Sequence, residues 1–384
     1  MDQVRRHMRI LWIGPFFSDF ALAKKQVPNQ AAAKWSRGFL RGLETNGCEI
    51  RVVSDCPEQI WPRGRVFWQS GNQKWFLDWF PCERIGYLNV VGVREFWLCW
   101  QYRRAMRRVL KSWRPDVVLA YNSLHLFHVA AMEVAKRAGV KCVPIILDGD
   151  DPRRDDWGWI KRTTKDADGI VFLSWWMKEH CPVKVPLLHM DGGAEGFKGE
   201  SGRETFSQFL LVHTGALDQW RGLNFMRGVI AACKRTDVKF VFCGKCDREK
   251  MWRDLGSDPR VEVKGFVSAA EVDEICRKAD VFLNVREPNV GDNILNYPSK
   301  VPQYLAWGKP VVSTWIDSFS PDYRDVLEVC DNTPEGFVKV LNGVLEWSDE
   351  KRSEKFNQIK SWFEERKSWA KQAKRLVEFV SCIG

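Results

Sequence analysis

The sequence predicts an α/β protein built from two doubly wound, parallel-sheet domains. Three observations predict it. Short apolar strands alternate with helical segments along almost all of the 384 residues, the pattern of parallel sheets with crossover helices. The alternation breaks at the glycine-rich, charged stretch DGGAEGFKGESGRETF (191–206) and then restarts. The chain is also too long for one core, given roughly 100–200 residues per domain.

The first domain opens with MRILWIG (8–14), a strand ending in glycine, followed by helical spacing from Gln30 to Thr45 that closes at Asn46-Gly47, and by the strand EIRVVS. This βαβ opening begins a parallel sheet. A helix from about Phe96 to Trp113, the strand DVVLAY (116–121), a helix to Ala138, and the strands KCVPIIL and GIVFLS (169–174) continue the pattern. Residues 56–94, rich in Trp, Phe, Gly and Pro, show no clear period and receive no assignment. After the linker come FLLVH (209–213), KFVFC (239–243), VEVKG (261–265), VFLNV (281–285) and PVVST (310–314), five strands with helices between them. The charged tail 349–379 reads as one or two closing helices. The division is a first domain over 1–190, a linker over 191–206, a second domain over 207–365, and a closing helix over 366–384 that could pack back on the first domain. Ligands of such sheets bind beyond the carboxyl ends of the strands.

Bulk properties narrow the partners. A formal charge of +10 fits a polyanion, an anionic membrane or a phosphate-bearing substrate. Twelve cysteines are scattered singly through apolar segments, which fits a reduced, cytoplasmic chain rather than a disulfide scaffold. The one CxxC, Cys243 and Cys246, has no second pair or nearby His to complete a zinc set. His125 and His128 are three residues apart but have no further ligands in view, so no metal site is assigned. No apolar run reaches the length of a membrane span, and residues 1–14 form a basic lead into a strand. The expected location is the cytoplasm, with the inner face of the membrane as an option. That option rests on WQYRRAMRRVLKSWR (100–114), whose stripe of Tyr102, Met106, Val109, Leu110 and Trp113 would pack on the sheet while Arg103, Arg104, Arg107, Arg108, Lys111 and Arg114 face outward.

In the second domain, glycines and cations follow the strands. HTGALDQWRGL places Gly215 after a strand and Arg221 near a helix start, FCGK repeats the turn with Gly244, and PSK brings Lys300 to the opening of another helix. A glycine lets backbone approach a phosphate closely, and amides and cations there stabilise its charge. Three such turns on one sheet edge point to a nucleotide or sugar-phosphate ligand.

The stretch KGFVSAAEVDEICRKADVFLNV, followed by NYPSKVPQYLAWGKPVVST, resembles the donor domain of retaining glycosyltransferases of family four, which have the GT-B fold of two Rossmann-like domains facing a cleft. RPDVVLAYNS is similar to a strand and loop of that family's acceptor domain. The resemblance implies an enzyme that transfers a sugar from a nucleotide-sugar co-substrate to a glycan, glycolipid or other hydroxyl acceptor with retention, needing neither a metal nor a further cofactor. It implies that Arg221 and Lys300 neutralise the donor diphosphate. Gly215, Gly244, Asn296, Tyr297, Ser299 and Val301 would surround the donor's phosphates, Gly265, Phe266 and Val267 its base, and Gln303 its ribose. On the acceptor side it points to Gly14, Pro15 and Phe16, with Asp148 or Asp150 of DGDD touching acceptor or donor hydroxyls; His125, which follows the strand DVVLAY, is a lesser acceptor-side candidate on its position alone. Two positions depart from the family: Ala216 stands where an arginine is usual and Gln303 where a glutamate is usual. An amide offers one acceptor oxygen and one donor group where a carboxylate offers two acceptors.

With Ser299 as N-cap, Lys300, Val301 and Pro302 become the first helical turn, where proline is tolerated, and the Lys300 and Val301 amides stay free for a phosphate. Competing readings are a binding-only relative of the same fold, a metal-dependent GT-A type transferase prompted by the lone DGD, and a nucleic-acid-binding protein prompted by the charge and the 20 tryptophans. The last lacks any RRM, KH or zinc pattern.

Overall fold

The computed structural model describes residues 7–17, 30–55, 59–68, 74–77, 80–122, 125–147, 157–200, 208–218, 222–244, 255–287 and 293–383. The chain divides into two units, Met1–Gly193 with Trp369–Gly384, and Ala194–Ser368.

In chain order unit 1 holds β1 (Arg9–Ile13), α1 (Gln30–Thr45), β2 (Glu49–Asp55), β3 (Phe67–Trp68), β4 (Lys74–Leu77), β5 (Phe80–Ile85), β6 (Tyr87–Leu88), α2 (Arg94–Ser112), β7 (Val117–Tyr121) and α3 (Leu126–Arg137). There follow β8 (Lys141–Ile146), α4 (Gly158–Thr163), β9 (Ile170–Phe172), α5 (Trp175–His180) and β10 (Leu187–His189). Eight strands form one sheet in the order β10-β9-β8-β7-β1-β2-β5-β4. All its pairs are parallel except the β4–β5 hairpin. The central strands are buried on both faces, at every position in β7, which is why they read as unbroken apolar runs. The apolar stripe of α2 packs Leu98, Tyr102, Ala105, Met106 and Val109 into the core beside Phe127, Ala131 and Met132 of α3.

Unit 2 holds β11 (Phe209–Thr214), α6 (Leu223–Ala232), β12 (Val238–Cys243), β13 (Val261–Gly265), α7 (Ala269–Lys278), β14 (Val281–Asn284), α8 (Val301–Leu305), β15 (Val311–Thr314), β16 (Glu328–Cys330), α9 (Pro334–Leu345) and α10 (Asp349–Arg366). Its six strands are all parallel, in the order β13-β12-β11-β14-β15-β16. Ser268 and Glu271 close a reciprocal capping box on α7. The two-domain parallel α/β class expected from the sequence is the one observed.

Several details differ from the sequence expectation. Residues 56–94, left unassigned, contain the β4–β5 hairpin and a separate antiparallel pair, β3 with β6. The short strands β10 and β16 were also not foreseen. Strands of two or three residues carry too few positions to show a period.

The last helix, α11 (Trp369–Cys382), belongs to unit 1 and lies on α1. Small residues make room for it: a Cβ on Gly38 would stand 2.2 Å from Trp369 Nε1, and one on Gly42 would stand 2.3 Å from Trp369 O. Asn46 Nδ2 donates to Ala370 O at 2.8 Å, Arg375 Nη2 to His189 O at 2.9 Å and Lys141 Nζ to Ile383 O at 2.6 Å.

Candidate functional site

In each sheet the strand order reverses beside the first strand of the unit, between β1 and β7 and between β11 and β14. Strands there send their following loops to opposite sides, which leaves a crevice at their carboxyl ends. Both crevices are rimmed by glycine.

In unit 2 the glycines interlock. Gly215 N donates to Cys243 O at 2.7 Å, and Gly244 N donates to Gly265 O at 2.7 Å. Gly215 has φ +117°, which disfavours any side chain, and a Cβ on Gly244 would lie 1.8 Å from Gly215 O. The ends of β11, β12 and β13 therefore form one surface of bare backbone. Lys300 covers part of it, since a Cβ on Gly215 would stand 3.4 Å from Lys300 Cε. Lys300 is half-buried, and its Nζ lies 3.5 Å from Gln303 Oε1. At the outer end Gly265 has φ +64° and is followed by Phe266, which is 61% exposed, and half-buried Val267.

The turn that carries Gly215 is fixed by Tyr304. Its buried hydroxyl accepts from Thr214 N at 2.8 Å and donates to Thr214 O at 3.0 Å, while its ring stacks on Phe282 at 4.4 Å. His213, one strand position earlier, donates from Nδ1 to Leu283 O at 3.0 Å, which leaves Nε2 as an acceptor without a hydrogen-bond partner among the described residues. Burial lowers its pKa to about 4; the Leu283 hydrogen bond opposes this shift, and the charges of Arg286 and Lys300 add to it. Arg286 leaves β14 at the same crevice, its N donating to Thr314 Oγ1 at the end of β15 at 2.7 Å and its guanidinium to Asn293 Oδ1 at 3.3 Å. The crevice thus has positive potential over exposed backbone, a combination that can hold an anion.

Helix α8 starts one residue later than expected. Lys300, not Ser299, is the N-cap, and Pro302 stands at the second helical position. Val301 N donates to Pro298 O at 3.0 Å, so that amide is engaged, and the Val301 side chain is buried. Serine is the better capping residue, but the Pro298 carbonyl closes a turn ahead of the helix and moves the cap. Tyr297 is 9% exposed and shares a hydroxyl contact with Tyr323, while Asn296 O accepts from Ser318 Oγ at 3.3 Å. Asn296 and Tyr297 therefore brace the approach to α8 with their backbone and ring. Ser299 is exposed.

In unit 1 Gly14 follows β1 with φ +133° and donates to Val53 O at 3.1 Å. A Cβ there would stand 3.1 Å from Tyr121 Cβ and 3.7 Å from His128 Nε2. Pro15 is half-buried, and Phe16 N donates to Ser54 Oγ at 2.9 Å. Beneath them, Tyr102 of α2 donates to buried Asp55 Oδ1 at 2.6 Å. Burial raises the Asp55 pKa, opposed first by that hydrogen bond, and it raises the phenol of Tyr102 well above its usual value. His128 is 1% exposed with neither ring nitrogen partnered among the described residues, and burial holds its pKa well below the usual range. His125 is exposed, at the start of α3, with its ring stacked on Phe127 at 4.9 Å.

Asp148, Asp150 and Arg221 lie outside the described residues. Of the remaining expected positions, the structure brings Gly215, Gly244, Gly265 and Lys300 together on one edge, and places Gly14, Pro15 and Phe16 on the corresponding edge of the other unit. Sequence reasoning missed Tyr304, His213, Arg286 and the Asp55–Tyr102 pair. A tyrosine inside an apolar helical stretch was the available signal for Tyr304, because a buried phenol needs a partner. Among the described residues no group of three or more His, Cys, Asp or Glu could hold a metal ion, and no helix is long and apolar enough to cross a membrane.

Residues 208–346 match the family model described as Glycosyl transferases group 1. Curated protein sequences yield no match. Among solved structures the chain is similar to Anabaena Alr3699/HepE in complex with UDP, with TM-score 0.66 and 13% identity over 97% of this chain and 100% of that one. A glycosyltransferase from Rickettsia africae ESF-5 gives TM-score 0.67 and 12% identity over 98% and 99%. The N-terminal domain of Candida albicans trehalose-6-phosphate phosphatase gives 0.68 and 10% over 99% and 98%. The architecture is that of GT-B glycosyltransferases, and the matched domain supports glycosyltransferase activity.

Proposed function

We propose that this protein transfers a sugar from a nucleotide-sugar donor to a hydroxyl of a glycan or lipid-linked acceptor, with retention at the anomeric carbon. The observation that carries the reading is Lys300 lying across Gly215, beside Gly244, on the interlocked backbone at the switch point of unit 2. A diphosphate leaving group gains negative charge as the anomeric C–O bond breaks, and a fixed cation over bare backbone stabilises that charge more in the transition state than in the ground state. In this reading Lys300 and Arg221 face the diphosphate, with Arg286 adding positive potential, so that these cations do the work a metal ion does elsewhere. Phe266 takes the base by stacking, and Gln303 takes a ribose hydroxyl. Gly14, Pro15, Phe16 and His125 bound the acceptor side, with Asp148 or Asp150 on sugar hydroxyls. The acceptor oxygen bonds to the anomeric carbon on the face the diphosphate leaves, and its proton departs with the leaving group or to solvent.

A melting-temperature screen against UDP-, GDP-, ADP- and CMP-sugars tests the donor class, because a ligand that binds only the folded chain raises its stability. One nucleotide series should stabilise the protein. Lys300→Ala should weaken that nucleotide by about 10- to 100-fold, the value of one partly screened charge near phosphate. Equal affinity in the variant would remove Lys300 from the site, and no stabilisation by any nucleotide would sink the reading.

A further inference from the structure

Of the exposed large apolar side chains among the described residues, all but Phe266 fall within residues 60–100. Phe96 is 79% exposed, Val91 71%, Phe67 61% and Trp100 52%, with Trp61 and Trp97 beside them. Backbone bonds gather the two stretches. Trp61 N donates to Asn89 O at 3.1 Å, Asn89 N donates to Val66 O at 2.7 Å, and Phe67 pairs with Leu88 across β3 and β6. The buried Asn89 amide ties the loop further, donating to Gln59 O at 2.7 Å and Arg65 O at 2.9 Å. A turn over 90–93 then enters α2.

Along α2 the outward positions Trp97, Trp100, Arg104, Arg107 and Lys111 are spaced by three or four residues and form one face, opposite the buried Leu98, Tyr102, Ala105 and Met106. That outward face is aromatic in its first half and cationic in its second. Arg103 pairs with Glu133 at 3.2 Å and Arg108 pairs with Glu83, whereas no carboxylate pairs with Arg104, Arg107 or Lys111 among the described residues. The Arg104 guanidinium lies 5.5 Å from the Trp100 ring centroid, so aromatic and cationic halves meet.

Exposed aromatic side chains gathered on α2 and on the β3–β6 pair beside it mark a surface that is covered in use. Charge complementarity selects what covers it. Tryptophan and phenylalanine next to unpaired cations, on a chain of net charge +10, match the boundary of an anionic bilayer, where ring bodies enter the acyl edge and cations meet phosphates. We propose that this face of unit 1 docks on an anionic lipid surface, with Phe67, Phe96, Trp97 and Trp100 entering the interface and Arg104, Arg107 and Lys111 against the headgroups. The docking stands apart from the nucleotide-sugar reading and can fail or hold without it.

The test is co-sedimentation of the full chain with vesicles of phosphatidylcholine alone and of phosphatidylcholine with phosphatidylglycerol. Binding to the anionic vesicles should exceed binding to the neutral ones by at least about tenfold and should fall at high salt, as screened charges require. Arg104→Gln with Arg107→Gln should weaken it about fivefold per charge, roughly 25-fold together. Phe96→Ser with Trp100→Ser should weaken it at least about tenfold with an unchanged melting temperature. Absence of binding to either vesicle would overturn the proposal, as would undiminished binding by both variants. Conversion of a dimer to a monomer by Phe96→Ser with Trp100→Ser, without vesicle binding by the parent, would assign the patch to a second copy and overturn it equally.

Discussion

Tyr304→Phe separates the turn that presents Gly215 from everything else in unit 2. The phenylalanine keeps the ring, and with it the stack on Phe282 at 4.4 Å, and removes only the hydroxyl. That hydroxyl is the partner of Thr214 N at 2.8 Å and of Thr214 O at 3.0 Å, and Thr214 is 5% exposed. Two buried backbone groups then lose a partner, each worth about 1–3 kcal/mol if it stays dry. Partial access of water to the strand end brings the expected loss to about 2 kcal/mol in total. For a domain of this size that corresponds to roughly 4–8 °C in the unfolding transition of unit 2. Scanning calorimetry reads the shift, and nucleotide titration should show weaker binding because Gly215 follows Thr214 directly. A melting temperature within about 1 °C of the parent would refute the reasoning, since it would mean that Thr214 finds other partners at no cost.

Gly244→Ala sets a Cβ 1.8 Å from Gly215 O and must push the ends of β11 and β12 apart; we expect nucleotide affinity to fall by at least about tenfold, measured by titration calorimetry, with a destabilisation of about 1–3 kcal/mol. His213 supplies a pH prediction. Its folded pKa is about 4 because burial disfavours the imidazolium, against about 6.5 in an unfolded chain, so below pH ~6.5 the unfolded chain takes up a proton that the folded one refuses. Its contribution is therefore full above pH ~6.5 and is lost progressively as pH falls toward about 4, up to ~3 kcal/mol. Urea unfolding of the parent and of His213→Asn over that range should differ in slope, and parallel curves would remove His213 as the cause.

The sequence made the larger architecture legible because parallel strands are buried on both faces. VVLAY at β7 and VFLN at β14 are buried at every position, and such runs stand out against amphipathic helices without any knowledge of pairing. The glycine edge was legible one turn at a time, since a glycine after a strand can be read locally. The contact of Gly244 with Gly215 O could not be read, because it depends on the register of β12 against β11, which strand periodicity leaves open. Tyr304 and Thr214 are 90 positions apart, as are His213 and Leu283 by 70, so neither pairing has a local signature. The Ser299 cap was misread for the same reason on a smaller scale: residue preference favours serine, but the turn closed by Pro298 O decides where the helix starts. The sugar-transfer reading drew on resemblance, strongest in Gly265–Thr314, whereas chain-local chemistry alone reached a nucleotide or sugar-phosphate ligand.

The return of α11 to unit 1 sets an order of events during synthesis. Unit 2 is an insertion, entered at Ala194 and left at Ser368, and these two residues form a parallel β-bridge with Ala194 N donating to Lys367 O at 2.9 Å. Unit 2 can therefore close as soon as Ser368 has left the ribosome. Unit 1, begun first, keeps the α1 face around Gly38 and Gly42 uncovered until Trp369 arrives. Completion of unit 1 therefore waits on residues that follow unit 2 in the chain, against the usual amino-to-carboxyl order of domain folding. A chain ending at Ser368 and held on the ribosome by a linker long enough to carry Ser368 clear of it should expose the apolar face of unit 1 to chaperones while unit 2 is already protected.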